Sequence, residues 1–552
     1  MVIADILLYV LVIAVLIFAV VARIRSFTFH GDILVYLLPT AGVIMHLVLC
    51  GVNLLMLPLI LSAILLLLLY LTRKRRVLFA ILVLLAVIPI GSSIIYPRME
   101  GVSQNFASLS YTQAFSQVND YLSRVYPLAS HKSIDFEQKY EEFYPLFVAA
   151  EKTQDKMAFY DAMNTYLASF HDGHISVFPA DAFVDLPFGT NELIKHRVET
   201  IGGDLGFGAM RTDDGRILAV VIDEKGAAFE AGLRTGDELL LLDGQEAADA
   251  ADEIPLNFAP QGSADENNRM FLRFLMLGRC PVSTSMNLRF VDAEGIVKDI
   301  TLIARENSFD TIDEMFNLAL TPEASATEED YQFQTINKET AVMRIETMMY
   351  DNETVILERI KSDLTTFSAA GGCNLIIDLR QNGGGEDRFG AALKALFTDE
   401  EDFYLAECVK NSGTDELVLQ DKILVNPQGP LFDGEIVILV NARTASAAEG
   451  FACNMAELPN VRIAGMNGSD GSFGTLCDGF ALLPGNFLLL FPNIACTDEN
   501  LSVIVEADET GFGGVLPDID IPIDTNSVQA LFVRHEDYEL NYVLDYLAQP
   551  NQ

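Results

Sequence analysis

Three short stretches carry residue types suited to acyl chemistry. The first is Asn441-Ala442-Arg443-Thr444-Ala445-Ser446-Ala447-Ala448-Glu449, which follows an apolar run at 436–440 and opens a helical stretch expected over 445–458. A hydroxyl there lies beside unpaired backbone N–H groups, at the positive end of a helix dipole. Negative charge developing on an attacked carbonyl is stabilised in that setting, which makes Ser446 a candidate nucleophile. The same position also suits a plain N-cap serine. The second stretch is Asp378-Leu379-Arg380-Gln381-Asn382-Gly383-Gly384-Gly385. Consecutive glycines after a strand let N–H groups turn inward as an anion nest. A phosphate loop is the rival, but the Lys-Ser/Thr pair it needs is missing. The third is His171-Asp172-Gly173-His174. A neutral imidazole is a serviceable base near pH 7. Read as a zinc pair, this HxxH lacks the HExxH glutamate and a third ligand, and no CxxC pair occurs, so no metal or cofactor is expected.

The elements that must position these residues follow from periodicity. Residues 106–170 place apolar side chains at helical spacing. Residues 196–305 alternate short β runs with Gly- and Asp-containing turns, interrupted by a short helix at 227–233. Residues 340–525 read as α/β. Strands are expected at 341–345, 374–379 and 436–440, with helices over 353–369, through 392–397 and over 445–458. Two strand–turn–helix units imply a parallel sheet buried on both faces, with function at the carboxyl ends of its strands. Cys477 and Cys496 flank a hairpin-like segment, where a disulfide and two free thiols are both compatible with the sequence.

The charge is divided. Residues 1–98 hold seven basic and two acidic residues, whereas the remainder holds 29 basic and 75 acidic ones within a net charge of −41. So acidic a body does not suit nucleic acid, whose phosphates need Lys and Arg. Apolar runs at 4–22, 33–50, 54–72 and 77–96 have the ~20-residue length of a membrane span, which predicts four transmembrane helices. Arg23, Arg25 and Arg73-Lys74-Arg75-Arg76 fall on one side of such a topology. The positive-inside rule then gives a multi-pass cell-membrane protein with its body extracytoplasmic.

Two resemblances sharpen this reading. Leu205-Gly206-Phe207-Gly208, followed by Ala228 to Leu233 and Gly236-Asp237, resembles a PDZ domain over about a hundred residues. That resemblance implies that Leu205, Gly206, Phe207 and Gly208 hold a peptide C-terminus by their N–H groups. The DLRxNGGG stretch, the TASAAEGFA stretch, the HDGH element and Gly514-Val515-Leu516-Pro517-Asp518 occur in the order seen in the S41 peptidase family, over roughly 105–525. That family includes C-terminal processing proteases and the tricorn core. The processing proteases pair serine with a downstream lysine, but no lysine follows Lys422 here. Ala464-Gly465-Met466-Asn467-Gly468 is similar to the tricorn-like branch, which uses histidine.

The resemblance implies Ser446 as nucleophile, His174 as base with His171 as its neighbouring competitor, and Gly384 and Ala447 as oxyanion donors. Glu509 would orient the imidazole, with Glu506 and Asp508 as alternatives. Where the tricorn branch has a serine before its histidine, this chain has Gly173. Glu449 is expected to brace the site. The expected domains are a four-helix transmembrane anchor (1–98), a helical part with the HDGH element (99–195), a PDZ-like domain (196–305) and an α/β catalytic domain of the ClpP/crotonase-like kind (306–545). The implied function is membrane-anchored serine endopeptidase acting on a peptide or protein recognised by its C-terminus. The alternatives are a non-catalytic, membrane-tethered PDZ peptide binder and a carrier of a small hydrophobic ligand.

Overall fold

The computed structural model describes residues 102–549, except 181–186, 255–272, 275, 308, 321–329, 413, 415, 428 and 476–478. The four spans expected within 1–98 lie outside the described residues. Among the described residues no helix is long and apolar enough to cross a membrane. Their longest helix, Phe136–Thr153, shows why: Glu137, Lys139, Glu141, Glu142, Glu151 and Lys152 interrupt it. Fold class is corrected accordingly to a multidomain α/β protein, and the described residues give no support to multi-pass membrane localisation.

The helical part forms as its caps and aromatic faces dictate. Asp135 caps the helix Phe136–Thr153, accepting from the N–H groups of Glu137 and Gln138 at 3.0 Å each. Asp155 does the same for the helix Lys156–Ala168. Phe115 stacks on Phe147 at 4.0 Å and meets Tyr166 edge-on, so rings from three helices share one core. A hairpin from late in the chain completes this part. Strands Phe480–Leu483 and Phe487–Leu490 lie between Val102–Asn105 and Ser176–Pro179 in a four-stranded sheet.

The β-rich part is an antiparallel sheet ordered Val297–Ile303, Ser285–Val291, Glu238–Leu242, Ile217–Ile222, Phe207–Arg211. The short helix Ala227–Glu230 packs its alanines into this part's core. Helix Asp310–Leu320 covers the strand Phe207–Arg211. Met315 Sδ lies 2.6 Å from where a Cβ on Gly208 would stand, so a larger residue there would have to push the flexible Met315 side chain aside.

The central sheet runs Tyr331–Thr335, Thr340–Ile345, Asn374–Asp378, Glu435–Leu439, Val461–Gly465, Ile519–Asp520. All pairs are parallel except the first. Alternate side chains feed two cores: Leu375, Ile377, Ile436 and Ile438 on one face, Ile376, Val437 and Leu439 on the other. Unbroken apolar runs are what burial on both faces requires. The helices Glu353–Ala369, Asp387–Lys394 and Ala447–Met455 match the expected ones within a few residues at their ends.

Beneath the DLR turn lies a buried ion network. Asp378 bonds Arg380 and Arg344, and Arg380 also reaches Asp537 and Glu539. Burial alone would raise the Asp378 carboxyl, but the two guanidinium groups outweigh it and hold it at about 2.

Candidate active site

Ser446 stands where the strand Glu435–Leu439 passes into the helix Ala447–Met455. The intervening turn is pinned to the glycine loop. Thr444 Oγ1 donates to the Leu379 carbonyl at 2.9 Å, and the Ala445 N–H donates to the Asn382 carbonyl at 3.0 Å. Ser446 itself has φ +55° and ψ −128°, a conformation L-residues rarely adopt. Backbone held this way is characteristic of sites where surrounding structure over-determines it for function.

Gly384 packs directly against the serine. It has φ +98°, and a Cβ there would lie 2.6 Å from Ser446 Cβ and 3.0 Å from the Ala447 nitrogen. The Ala447 N–H, first in its helix, has no acceptor among the described residues, as expected of an orphan helix donor. The Gly384 N–H instead donates to Asn382 Oδ1 at 3.0 Å. The two expected oxyanion donors thus flank Ser446, but only Ala447 presents an unengaged N–H.

Behind the serine lies Glu449, with no exposed surface. It accepts from Ser446 N–H (2.9 Å), Gly471 N–H (2.6 Å), Ser472 N–H (3.2 Å) and Ser469 Oγ (2.5 Å). Burial, reinforced by Asp470, drives its carboxyl well above the usual range despite these donors. Asp470 is likewise pushed up to about 8, first by burial and then by Glu506 and Asp172.

His174 is half-buried, and its backbone N–H is fixed by Asp172 Oδ1 at 2.8 Å. Asp172 is fully buried and receives Tyr126 Oη at 2.6 Å. The Nδ1 of His174 is sealed from solvent and without a hydrogen-bond partner among the described residues. The preceding Gly173 N–H donates to Ser472 Oγ at 2.8 Å, and the Ser472 carbonyl accepts the Ser446 N–H at 3.1 Å. One residue therefore touches both the histidine loop and the serine.

The expected acid falls elsewhere. Glu509 is exposed, receives a hydrogen bond from Ser133 Oγ, and lines a cleft of about 190 Å³ with Lys132, Lys139 and His171. Neither Ser446 nor His174 lines that cleft. Glu506 is buried instead. It pairs with Lys132 at 2.9 Å and accepts the N–H groups of Phe473 and Gly474 at 2.7 and 3.1 Å. Asp508 closes its own loop by accepting from Thr510 and Phe512.

The loop at 205–208 is also engaged internally. The Leu205 N–H donates to the Gly278 carbonyl at 3.0 Å, and the Gly206 N–H donates to Asp204 Oδ1 at 2.6 Å. Asp204 is itself buried against Arg279 at 2.8 Å. The chain's own carboxylate thus stands where a peptide C-terminus was expected. Cys477 lies outside the described residues, while Cys496 is a buried thiol 3.5 Å from Thr475 Oγ1.

Lys132 and Ser472 were not picked out by sequence reasoning. Lys132 is a lone cation in a polar turn. Ser472 lies in Gly468-Ser469-Asp470-Gly471-Ser472, whose density of small polar residues signals a loop but not its contacts.

Residues 339–521 match the model of Peptidase family S41. No curated protein matches this chain. Among solved structures, mature CPAF is similar at 16% identity, covering 79% of this chain and 96% of that one, with a TM-score of 0.53. Mature CPAF complexed with lactacystin gives 16%, 79%, 97% and 0.52. A CPAF mutant gives 15%, 80%, 98% and 0.54. At this identity the likeness establishes a shared fold.

Proposed function

Starting from a serine-type peptidase whose S41 domain spans residues 339–521 and whose substrates are peptides or proteins, we propose that it is an endopeptidase working through Ser446 and His174. The observation that carries this reading is the juxtaposition at Ser446. A serine held at φ +55° opens a helix, packs on Gly384 and shares Ser472 with the histidine loop.

His174 takes the proton from Ser446 Oγ as that oxygen bonds to the substrate carbonyl carbon. The carbonyl π pair moves to oxygen, where the Ala447 N–H receives it. Gly384 supports the same pocket and contributes its own N–H once it leaves Asn382. The tetrahedral centre collapses, the C–N bond breaks, and the amine leaves with the proton from His174. Water then repeats the sequence on the acyl-enzyme and frees Ser446. Glu449 holds the nucleophile's backbone. Glu506 is the acid whose position suits support of the site, through Phe473 and Gly474.

The rival peptide-binder reading is weakened at residues 205–208, because Gly278 and Asp204 already hold two of the N–H groups it requires, those of Leu205 and Gly206. The domain division at 195, 305 and 545 accompanies this proposal.

Covalent labelling by a fluorophosphonate tests the reading. The unsubstituted chain is expected to label and to hydrolyse an unfolded protein substrate, and Ser446→Ala to do neither. An unsubstituted chain that is folded but does not label refutes the proposal.

A further inference from the structure

The segment 470–474 crosses directly behind the serine, and its backbone is bonded at every residue. The Asp470 N–H donates to the Thr444 carbonyl at 2.9 Å. The Gly471 and Ser472 N–H groups go to Glu449, and those of Phe473 and Gly474 go to Glu506. Two buried carboxyl groups thus take four consecutive donors. Glu449 belongs to the nucleophile's helix, and Glu506 is ion-paired to Lys132, which also donates to the His171 carbonyl at 2.9 Å. The strap therefore ties the nucleophile's element to the loop that carries the histidine, across nearly three hundred residues of sequence.

One side chain of the strap bonds to the loop 171–174 itself. Ser472 is 1% exposed, and its Oγ accepts the Gly173 N–H at 2.8 Å. Its hydroxyl also neighbours the Asp470 carboxyl as a hydrogen-bond partner. Its carbonyl holds the Ser446 N–H. We propose that Ser472 is a positioning residue that fixes the His174 loop in register with Ser446. This rests on the serine–histidine reading. The physical ground is that reacting groups must meet within a narrow geometry. A misplacement of ~1 Å is enough to cost about a hundredfold in rate.

The test uses the full-length chain and the second-order rate of fluorophosphonate labelling at Ser446, followed from about pH 5 to 9. Ser472→Ala is expected to label about tenfold or more slowly, with the acid limb of its profile displaced, while its thermal midpoint shows it folded. Ser472→Thr keeps the hydroxyl and is expected to recover most of the rate. Gly173→Pro removes the same hydrogen bond from the other end. Gly173 is exposed and stands second in the turn closed by the Ile175 N–H to the Asp172 carbonyl, a position proline favours. This variant serves if Ser472→Ala fails to fold, and it is expected to show the same loss. If His174→Ala abolishes labelling while Ser472→Ala and Gly173→Pro stay within about twofold with unmoved profiles, the positioning role is overturned and the serine–histidine reading survives. If His174→Ala labels normally, both fall.

Discussion

Two glutamates on one short loop show how much burial decides. Glu506 and Glu509 are three residues apart, yet one is sealed beside the serine's strap and the other hydrogen-bonds Ser133 at the surface. An exposed carboxylate engaged with a serine hydroxyl cannot orient an imidazole it does not face. Glu509→Gln is therefore expected to leave labelling and hydrolysis within about twofold of the unsubstituted chain, as surface changes away from the reacting groups generally do. A loss of a hundredfold would return Glu509 to the mechanism. Sequence alone could place an acid in this loop but could not choose its member, because an irregular loop has no period that sorts inside from outside. Ser446 was legible for the opposite reason: a buried strand before it and a helix after it fix where its hydroxyl emerges. The bond from Gly173 to Ser472 spans 299 residues, and no local pattern announces it.

At the level of elements, the parallel sheet was readable because strands buried on both faces need uninterrupted apolar runs, and 374–378 and 435–439 supply them. The hairpin at 480–490 was not tied to its partners in advance. Its pairing with residues 102–105 and 176–179 is fixed at long range, as Leu483, Phe487 and Leu489 join the aromatic core of the early helices, and nothing local in the hairpin names that partner. The glycine loop adds a constraint that motif spacing implies but does not explain. Gly384 combines φ +98° with a contact that leaves no room for a Cβ against Ser446. Gly384→Ala must therefore displace either the loop or the serine, and a strained backbone adds to the clash. Labelling is expected to fall at least about a hundredfold while the far-ultraviolet circular dichroism is preserved, since the loop lies outside the helices and strands. An alanine variant that labels at the ordinary rate would mean that Gly384 does not shape the pocket.

Across the whole molecule, a net charge of −41 is carried with several carboxyl groups kept inside. Such groups link stability to pH in opposite directions. Asp378 is held at about 2, below its unfolded value near ~4, so its contribution is present above that value and lost as pH falls towards 2. Asp387, the first residue of the helix after the glycine loop, behaves oppositely. Burial first, then Glu407 and Glu386, push its carboxyl up to about 7, and one of its oxygens is sealed without a hydrogen-bond partner among the described residues. Between pH ~4 and 7 the folded chain keeps a proton there that the unfolded chain releases. Its contribution is therefore complete below ~4 and disappears as pH rises through 7, a swing of at most a few kcal/mol on the scale of ~1.4 kcal/mol per pKa unit. Asp387→Asn cannot ionise and removes this dependence. In urea unfolding of the full-length chain, the variant is expected to differ least from the unsubstituted protein near pH ~4.5, to gain on it up to about pH 8, and to hold that gain level from there to pH ~9. A difference that stays constant across that range would show that Asp387 is not a buried acid that erodes stability as pH rises through 7. Asp470, raised to about 8 behind Ser446, and Glu449, raised well above the usual carboxylate range, would then be the buried acids to substitute next.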